Sequence, residues 1–213
     1  MEADSTLPAR PEPSQPPTPE VVTPPVYEEP TIPEPVVVET ATTTAATVRS
    51  VPFYSQFTDI SDPAWQGVGS GIVSIAMVID YFTSAEQDVD ALLSRGLAEG
   101  AYLDHAGWTH GGLLNLAGSY NLTGESINLQ ALGERAALDE LKEVLTHGPV
   151  LASVYYTFEE FNPIPHLVVI TDAAHGYVYY NDPAEPAGGG RLTEAEFLRG
   201  WKERYIAVRP AAS

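Results

Sequence analysis

A serine, a histidine and an aspartate occupy positions in this sequence that suit a nucleophile, a base and an orienting acid. Ser70 opens an apolar run over residues 72–82, which predicts a buried helix. His166 begins one predicted strand and Asp182 ends the next. A side chain at a helix start meets unpaired backbone N–H groups and the positive end of the helix dipole, which would shift a thiol toward reactive thiolate. The chain has no cysteine, so Ser70 is the candidate nucleophile at this position.

The two strands that carry His166 and Asp182 are predicted to form a hairpin joined by residues 173–176. In an antiparallel pair the numbers of opposite residues have a constant sum, and a turn centred on residues 174–175 places His166 opposite Asp182. An acid beside a histidine fixes the tautomer of the ring and stabilises the imidazolium. The alternatives are a structural His–Asp pair at a sheet end and, for Ser70 alone, a helix N-cap, which serine favours.

The segments around these positions resemble the bacterial C39-like cysteine peptidases, which are papain-fold relatives of the bacteriocin-leader peptidases. The resemblance extends over about residues 50–210 and follows the family's order and spacing. It is carried by residues 51–56, Trp65, residues 70–81, 147–150, 166–170 and 181–183, Phe197, Trp201 and residues 206–208.

The resemblance implies a role for each matching position. The family has cysteine where this chain has Ser70, so position 70 corresponds to the nucleophile, His166 to the base and Asp182 to its orienter. Gln56 matches the glutamine that donates a hydrogen bond into the oxyanion hole, together with the backbone N–H of residue 70. Gln66 is a second choice for that donor.

The resemblance also implies a substrate groove, and three further residues are predicted to bind substrate there. They are Trp65, Gly69 and Trp108. Trp201 is assigned to the core. His105 and His110 are interpreted as loop histidines, because their spacing differs from the i, i+4 pattern of a helical metal pair. No metal and no cofactor is expected.

The serine changes the chemistry that the resemblance implies. In this chemistry a thiol gives its proton to histidine before attack, and a serine hydroxyl is far too weak an acid to do so at neutral pH. The sequence therefore predicts a peptidase-like domain for peptide-bond hydrolysis through an acyl-enzyme, inactivated by Ser70. The substitution is either deliberate or that of a natural pseudo-peptidase, a non-catalytic module that binds peptides. A serine hydrolase on the same scaffold is the third hypothesis.

The order of predicted elements indicates an α+β domain with a papain-like fold. Helices come first, and the helix of Ser70 is expected to pack on a later antiparallel sheet. The predicted helices cover residues 70–82, 88–98, 109–120, 134–147 and 193–201, and the predicted strands cover residues 150–156, 167–171, 177–180 and 205–208.

Composition separates the first 48 residues from the rest. Eleven of the 19 prolines fall between Pro8 and Pro35, interleaved with Glu, Thr and Val, and such a segment cannot build a packed core. We expect residues 1–48 to be a disordered spacer and residues 49–213 to form the peptidase domain. A proline-rich ligand for a signalling domain is the alternative for the spacer.

Charge and hydropathy restrict the partners. The net charge of −19 argues against nucleic acid and anionic membrane surfaces. No apolar run reaches transmembrane length, and no signal peptide is visible. We expect a monomer that binds a peptide or protein substrate, located outside the cell or at the cell envelope, where such spacers commonly hold a domain away from the surface.

Overall fold

A computed structural model describes residues 50–104, 106–160, 162 and 164–212. The predicted spacer, residues 1–48, lies outside the described residues. The helices of the described chain are α1 (Pro63–Gln66), α2 (Ser70–Thr83), α3 (Val89–Ala98), α4 (His110–Gly118), α5 (Glu134–Leu145) and α6 (Glu194–Gly200). Its strands are β1 (Tyr102–Leu103), β2 (Gly107–Trp108), β3 (Leu122–Asn128), β4 (Val150–Tyr155), β5 (Pro165–Ala174), β6 (Tyr177–Asn181), β7 (Gly189–Thr193) and β8 (Trp201–Pro210). Single 3-10 turns lie at Gln130–Leu132 and Tyr156–Phe158.

Six of these strands form one antiparallel sheet in the order β3-β8-β4-β5-β6-β7, and β1 and β2 form a separate small hairpin. The first four helices precede the sheet in the chain, apart from the β1–β2 hairpin. This arrangement confirms the predicted α+β class with a nucleophile-position helix packed on an antiparallel sheet.

Alternate residues of the central strands face two different cores, as the period of a strand requires. On one face, Leu151, Leu167 and Val169 pack with α2, α3 and α4. On the other face, Val150 and Val168 pack with α5 and α6. Because α2 lies between the sheet and two other helices, residues 70–80 are all buried. The sheet therefore holds the start of α2 against the start of β5.

The hairpin of β5 and β6 differs from the predicted register. Its turn has two residues, His175 and Gly176, both with positive φ (55° and 81°), the geometry of a tight hairpin turn. An irregularity between Ile170 and Asp172 shifts the pairing again, so Asn181 lies opposite Val169 and the ladder ends there. The prediction that His166 and Asp182 are directly opposite is wrong.

The observed register nevertheless keeps both side chains on one face. Continued by one residue, it would place Asp182 opposite Val168, which makes His166 a diagonal neighbour two residues away. Diagonal neighbours on the same face remain within reach of long or aromatic side chains. In the ladder itself, His166 pairs with Val154 of β4.

Candidate active site

His166 and Asp182 form a buried hydrogen-bonded pair at one end of the sheet. Nε2 of His166 lies 2.6 Å from Oδ1 of Asp182, and the two residues are 5% and 3% exposed. The same carboxylate oxygen accepts the backbone N–H of Ala184 at 2.8 Å, which fixes its orientation. The ring of Tyr156 packs edge-on against the imidazole, with centroids 5.1 Å apart. Since Asp182 occupies Nε2, Nδ1 is the nitrogen left to exchange a proton with another group.

Ser70 lies beside this pair at the first residue of α2. Gly69 is the N-cap of the helix, so the alternative interpretation of Ser70 as the capping residue is wrong. Ser70 Oγ accepts the backbone N–H of Leu167 at 3.4 Å, rather than bonding the His166 ring itself. Catalytic hydrogen bonds are often made only when a ligand is bound. One turn later, the Ser74 hydroxyl donates to the carbonyl of Leu167 at 3.1 Å. Two serines of α2 therefore hold the residue that follows His166.

The first turn of α2 is packed so closely that only glycine fits around Ser70. A Cβ on Gly69 would overlap Cδ1 of Ile60, and a Cβ on Gly71 would lie 2.7–3.0 Å from three side-chain atoms of Trp108. Trp108 is held in place because its indole N–H donates to the carbonyl of Val68 at 2.9 Å. The two glycines thus let the helix start approach its neighbours without displacing them.

Ser70 and His166 both line one cavity of about 910 Å³. Trp108 lines it as well, in agreement with its prediction as a groove residue. Trp65 and Gly69, also predicted to bind substrate, are not among its lining residues. Trp65 instead packs edge-on against Tyr102, with ring centroids 5.1 Å apart, and Gly69 is enclosed by Ile60 and Gln56.

Trp201 combines two roles that the sequence kept separate. It is 3% exposed and stacks on Phe197 in the core, as predicted. It also contributes to the lining of the cavity.

Gln56 lies against the start of α2, and Gln66 does not serve the cavity. Gln56 is 3% exposed, and its backbone N–H donates to the carbonyl of Pro183, the residue after Asp182, at 2.9 Å. Its buried Oε1 has no partner within the described chain. A buried amide oxygen without a partner is costly and fits a side chain that completes its hydrogen bonds on ligand binding. Gln66 spends its Nε2 on the carbonyls of Ile60 and Phe57, at 2.8 and 3.2 Å, which removes it as an oxyanion donor.

His110 is a second histidine of the cavity, and its interpretation as a loop residue is wrong. It is the first residue of α4, with Nδ1 2.6 Å from Ser126 Oγ and Nε2 3.2 Å from Ser153 Oγ. Burial, and then the charge of Arg204, lower its pKa. The contacts join a helix to two strands far apart in sequence, so no local signal could reveal them. His105 lies outside the described residues.

Two further searches cover only the described part of the chain. They find no group of three or more His, Cys, Asp or Glu side chains that could hold a metal ion. Within the same residues, no helix has the length and apolar character needed to cross a membrane.

This geometry defines an α+β domain of the peptidase type, with a helix-start residue at position 70 facing a buried His–Asp pair. The model of the Peptidase_C39 like family matches residues 48–212. The chain therefore belongs to the Peptidase_C39-like family. A comparison with curated protein sequences found no match.

Solved structures support the same fold. A C39-like peptidase from Bacillus anthracis is 19% identical, with a TM-score of 0.52 over 76% of this chain and 96% of its own. The peptidase domain of Streptococcus ComA, a bifunctional ABC transporter of a quorum-sensing pathway, is 15% identical, with a TM-score of 0.53 over 68% of this chain and 93% of its own. A double glycine motif protease from an AMS/PCAT transporter, in complex with the leader peptide, is 22% identical, with a TM-score of 0.49 over 67% and 84%.

Proposed function

We propose that this chain is a peptide-binding domain with the acyl-transfer site of a cysteine peptidase, in which Ser70 holds hydrolysis far below that of the thiol form. The observation that carries the proposal is the buried His166–Asp182 hydrogen bond of 2.6 Å beside the start of α2. A histidine oriented by an acid and facing a helix N-terminus is the arrangement that activates a nucleophile. The family membership of the chain supports the same conclusion.

Each group has a defined part in the inherited reaction. The thiol of a Ser70→Cys form would give its proton to Nδ1 of His166, and the sulfur would attack the peptide carbonyl. The backbone N–H of residue 70 and the amide of Gln56 would stabilise the resulting oxyanion. When the C–N bond breaks, the imidazolium protonates the leaving amine and an acyl-enzyme remains. Water, deprotonated by His166, then releases the acid and restores the thiol.

Serine interrupts this sequence at its first step. An alcohol does not give up its proton to imidazole at neutral pH, so no reactive anion is present before the substrate binds. The cavity and the oxyanion donors are unaffected by the exchange of sulfur for oxygen. We therefore expect peptides to bind while the first chemical step is slowed by several orders of magnitude. Ser70 supports inactivation whether the substitution is deliberate or that of a natural pseudo-peptidase.

The experiment is a gain of hydrolysis on Ser70→Cys. Purified protein would be incubated with a diverse peptide library and cleavage products counted by mass spectrometry. The proposal expects cleavage by the Ser70→Cys form and its loss when His166→Ala is added. Ser74→Cys is the matched control, because it places a thiol one turn further along the same helix, at a fully buried position. A folded Ser70→Cys form that cleaves nothing would contradict the inherited peptidase site and favour a module that binds peptides without catalysis.

The cellular location belongs to the same proposal. A proline-rich segment of some 48 residues before a globular domain suits a protein displayed outside the cell or at its envelope. Cell fractionation with an antibody against the domain tests this, and recovery in the cytosolic fraction would contradict it.

A further inference from the structure

One wall of the cavity is basic in a protein that is otherwise strongly acidic. The whole chain has ten Lys and Arg against 29 Asp and Glu. Three of the ten, Arg199, Lys202 and Arg204, line the cavity that contains Ser70 and His166. All three lie within six residues of sequence, at the end of α6 and the start of β8. A concentration of this kind calls for a local explanation, because the average charge of the protein has the opposite sign.

A distortion of β8 brings two of these cations to the cavity. Ala152 pairs with Tyr205 and Val154 pairs with Trp201, so three residues of β8 stand opposite the single residue between them on β4, Ser153. Glu203, in the middle of the three, has a φ of +51°, a conformation uncommon for a side chain other than glycine. Bulges of this kind occur beside active sites and redirect side chains. Here Lys202 and Arg204 flank the distorted residue and line the cavity.

The two cations have no carboxylate partner among the described residues. Three acids also line the cavity, namely Glu134, Glu160 and Glu203, but no ion pair joins them to Lys202 or Arg204. The ammonium of Lys202 instead lies over the ring of Tyr155, 4.5 Å from its centroid. Burial lowers the pKa of Lys202, and the charge of Arg204 lowers it further. The arrangement is thus electrostatically unfavourable until an anion is added.

The distance from this wall to the nucleophile position follows from the sheet. Leu167, whose N–H reaches Ser70 Oγ, pairs with Ser153 on β4, and Ser153 faces the bulge of β8. Two strand spacings of about 4.8 Å separate β5 from β8, which makes roughly 10 Å. An extended peptide advances about 3.3 Å per residue, so this span corresponds to about three residues.

We propose that Lys202 and Arg204 form a subsite for a carboxylate of the bound peptide, about two to four residues from the residue that lies at Ser70. The carboxylate is either an Asp or Glu side chain or the free C-terminus of the peptide. The inference rests on the proposed function only in that a peptide occupies the cavity. It does not require that the peptide be cleaved.

The test measures peptide binding to the unmodified chain by fluorescence polarisation. Short labelled peptides, capped at both ends, would carry one Glu at successive positions, each compared with the same peptide carrying Gln. A second pair would compare a free C-terminal carboxylate with its amide and so distinguish the two sources. We expect about tenfold tighter binding of the acidic member of one pair, which two partly exposed ion pairs are able to supply.

Variants then assign the preference to the basic wall. Arg204→Gln and Lys202→Gln should each reduce the acid-over-amide ratio, and Arg204→Glu should reverse it in favour of a Lys peptide. Arg191→Gln is the matched control: it removes one exposed positive charge that stacks on Tyr177, far from the cavity lining, and should leave the ratio unchanged. Equal binding of every acid and amide pair, or a ratio that survives Arg204→Gln and Lys202→Gln in folded protein, would overturn the inference. Acid-selective binding without cleavage by the Ser70→Cys form would retain the subsite and reject only the peptidase proposal.

Discussion

Replacing Gly71 with alanine tests how the start of α2 is held. The new Cβ would lie 2.7 Å from Cβ and 2.8 Å from Cγ of Trp108, so the indole must move. Extra atoms in a well-packed core cost about 1–3 kcal/mol, and loss of the indole hydrogen bond to Val68 adds about 1 kcal/mol. Alanine returns about 0.5–1 kcal/mol through its better helix propensity. We expect a net loss of about 1–3 kcal/mol in the free energy of unfolding, which for a domain of this size lowers Tm by roughly 3–10 °C.

Gly111 provides the matched control for this substitution. It is the second residue of α4 as Gly71 is of α2, but it is exposed and a Cβ there would have no neighbour within 4 Å. Gly111→Ala should leave stability unchanged or raise it by up to about 1 kcal/mol. Both variants would be compared by calorimetry and urea unfolding. Equal stabilities of Gly71→Ala and Gly111→Ala would refute the claim that Trp108 closes over the first turn of α2.

Two further substitutions test a buried polar contact each. Burial raises the pKa of Tyr54 to about 12 from 10.0, so its contribution to stability is complete below about pH 10 and is lost as pH rises toward 12. Tyr54→Phe, which removes the donor at 2.7 Å from Asp80, should destabilise the domain by about 1–2 kcal/mol and flatten this pH dependence in urea unfolding; an unchanged pH profile would contradict it. Ser74→Ala, made in the Ser70→Cys form, should lower kcat more than it raises KM, because it frees the Leu167 carbonyl beside the base. A change in KM alone would refute that positioning role.

Elements with a strong local pattern could be predicted from the sequence. The apolar run after Ser70 predicts a helix over residues 70–82, and α2 covers Ser70–Thr83. The spacing of Thr193 and Glu196 predicts a capping box, and both of its hydrogen bonds are present at the start of α6. In these cases hydrophobic period and capping chemistry agree with the tertiary packing, so local information is sufficient.

Strand β3 shows where local information ends. Residues 122–128 are mostly polar and exposed, with only Leu122 buried, so they have no alternation that a sequence pattern could detect. The strand exists because it pairs along its whole length with β8 at the edge of the sheet. The extension of β8 beyond the predicted residues 205–208 has the same cause, since its first residues are held by pairing across the bulge.

The site was predictable in its residues and less so in its geometry. The proximity of His166 and Asp182 follows from the hairpin, but the two-residue turn and the irregularity near Thr171 decide their actual register. The place of His110 in the cavity depends on contacts between α4 and two distant strands. Sequence spacing carries no information about contacts of that kind.

The most direct measurement of the central claim is the pH dependence of thiol alkylation in the Ser70→Cys form. The chain has no native cysteine, so iodoacetamide would report on this one thiol. Ser94→Cys, on the exposed surface of α3, supplies an ordinary thiol for comparison, with a pKa near 8.5. If position 70 retains the inherited nucleophile site, the Ser70→Cys form will react with a midpoint well below that value, and adding His166→Ala will move the midpoint back toward it. A midpoint at or above about 8.5 that is insensitive to His166→Ala would contradict the account.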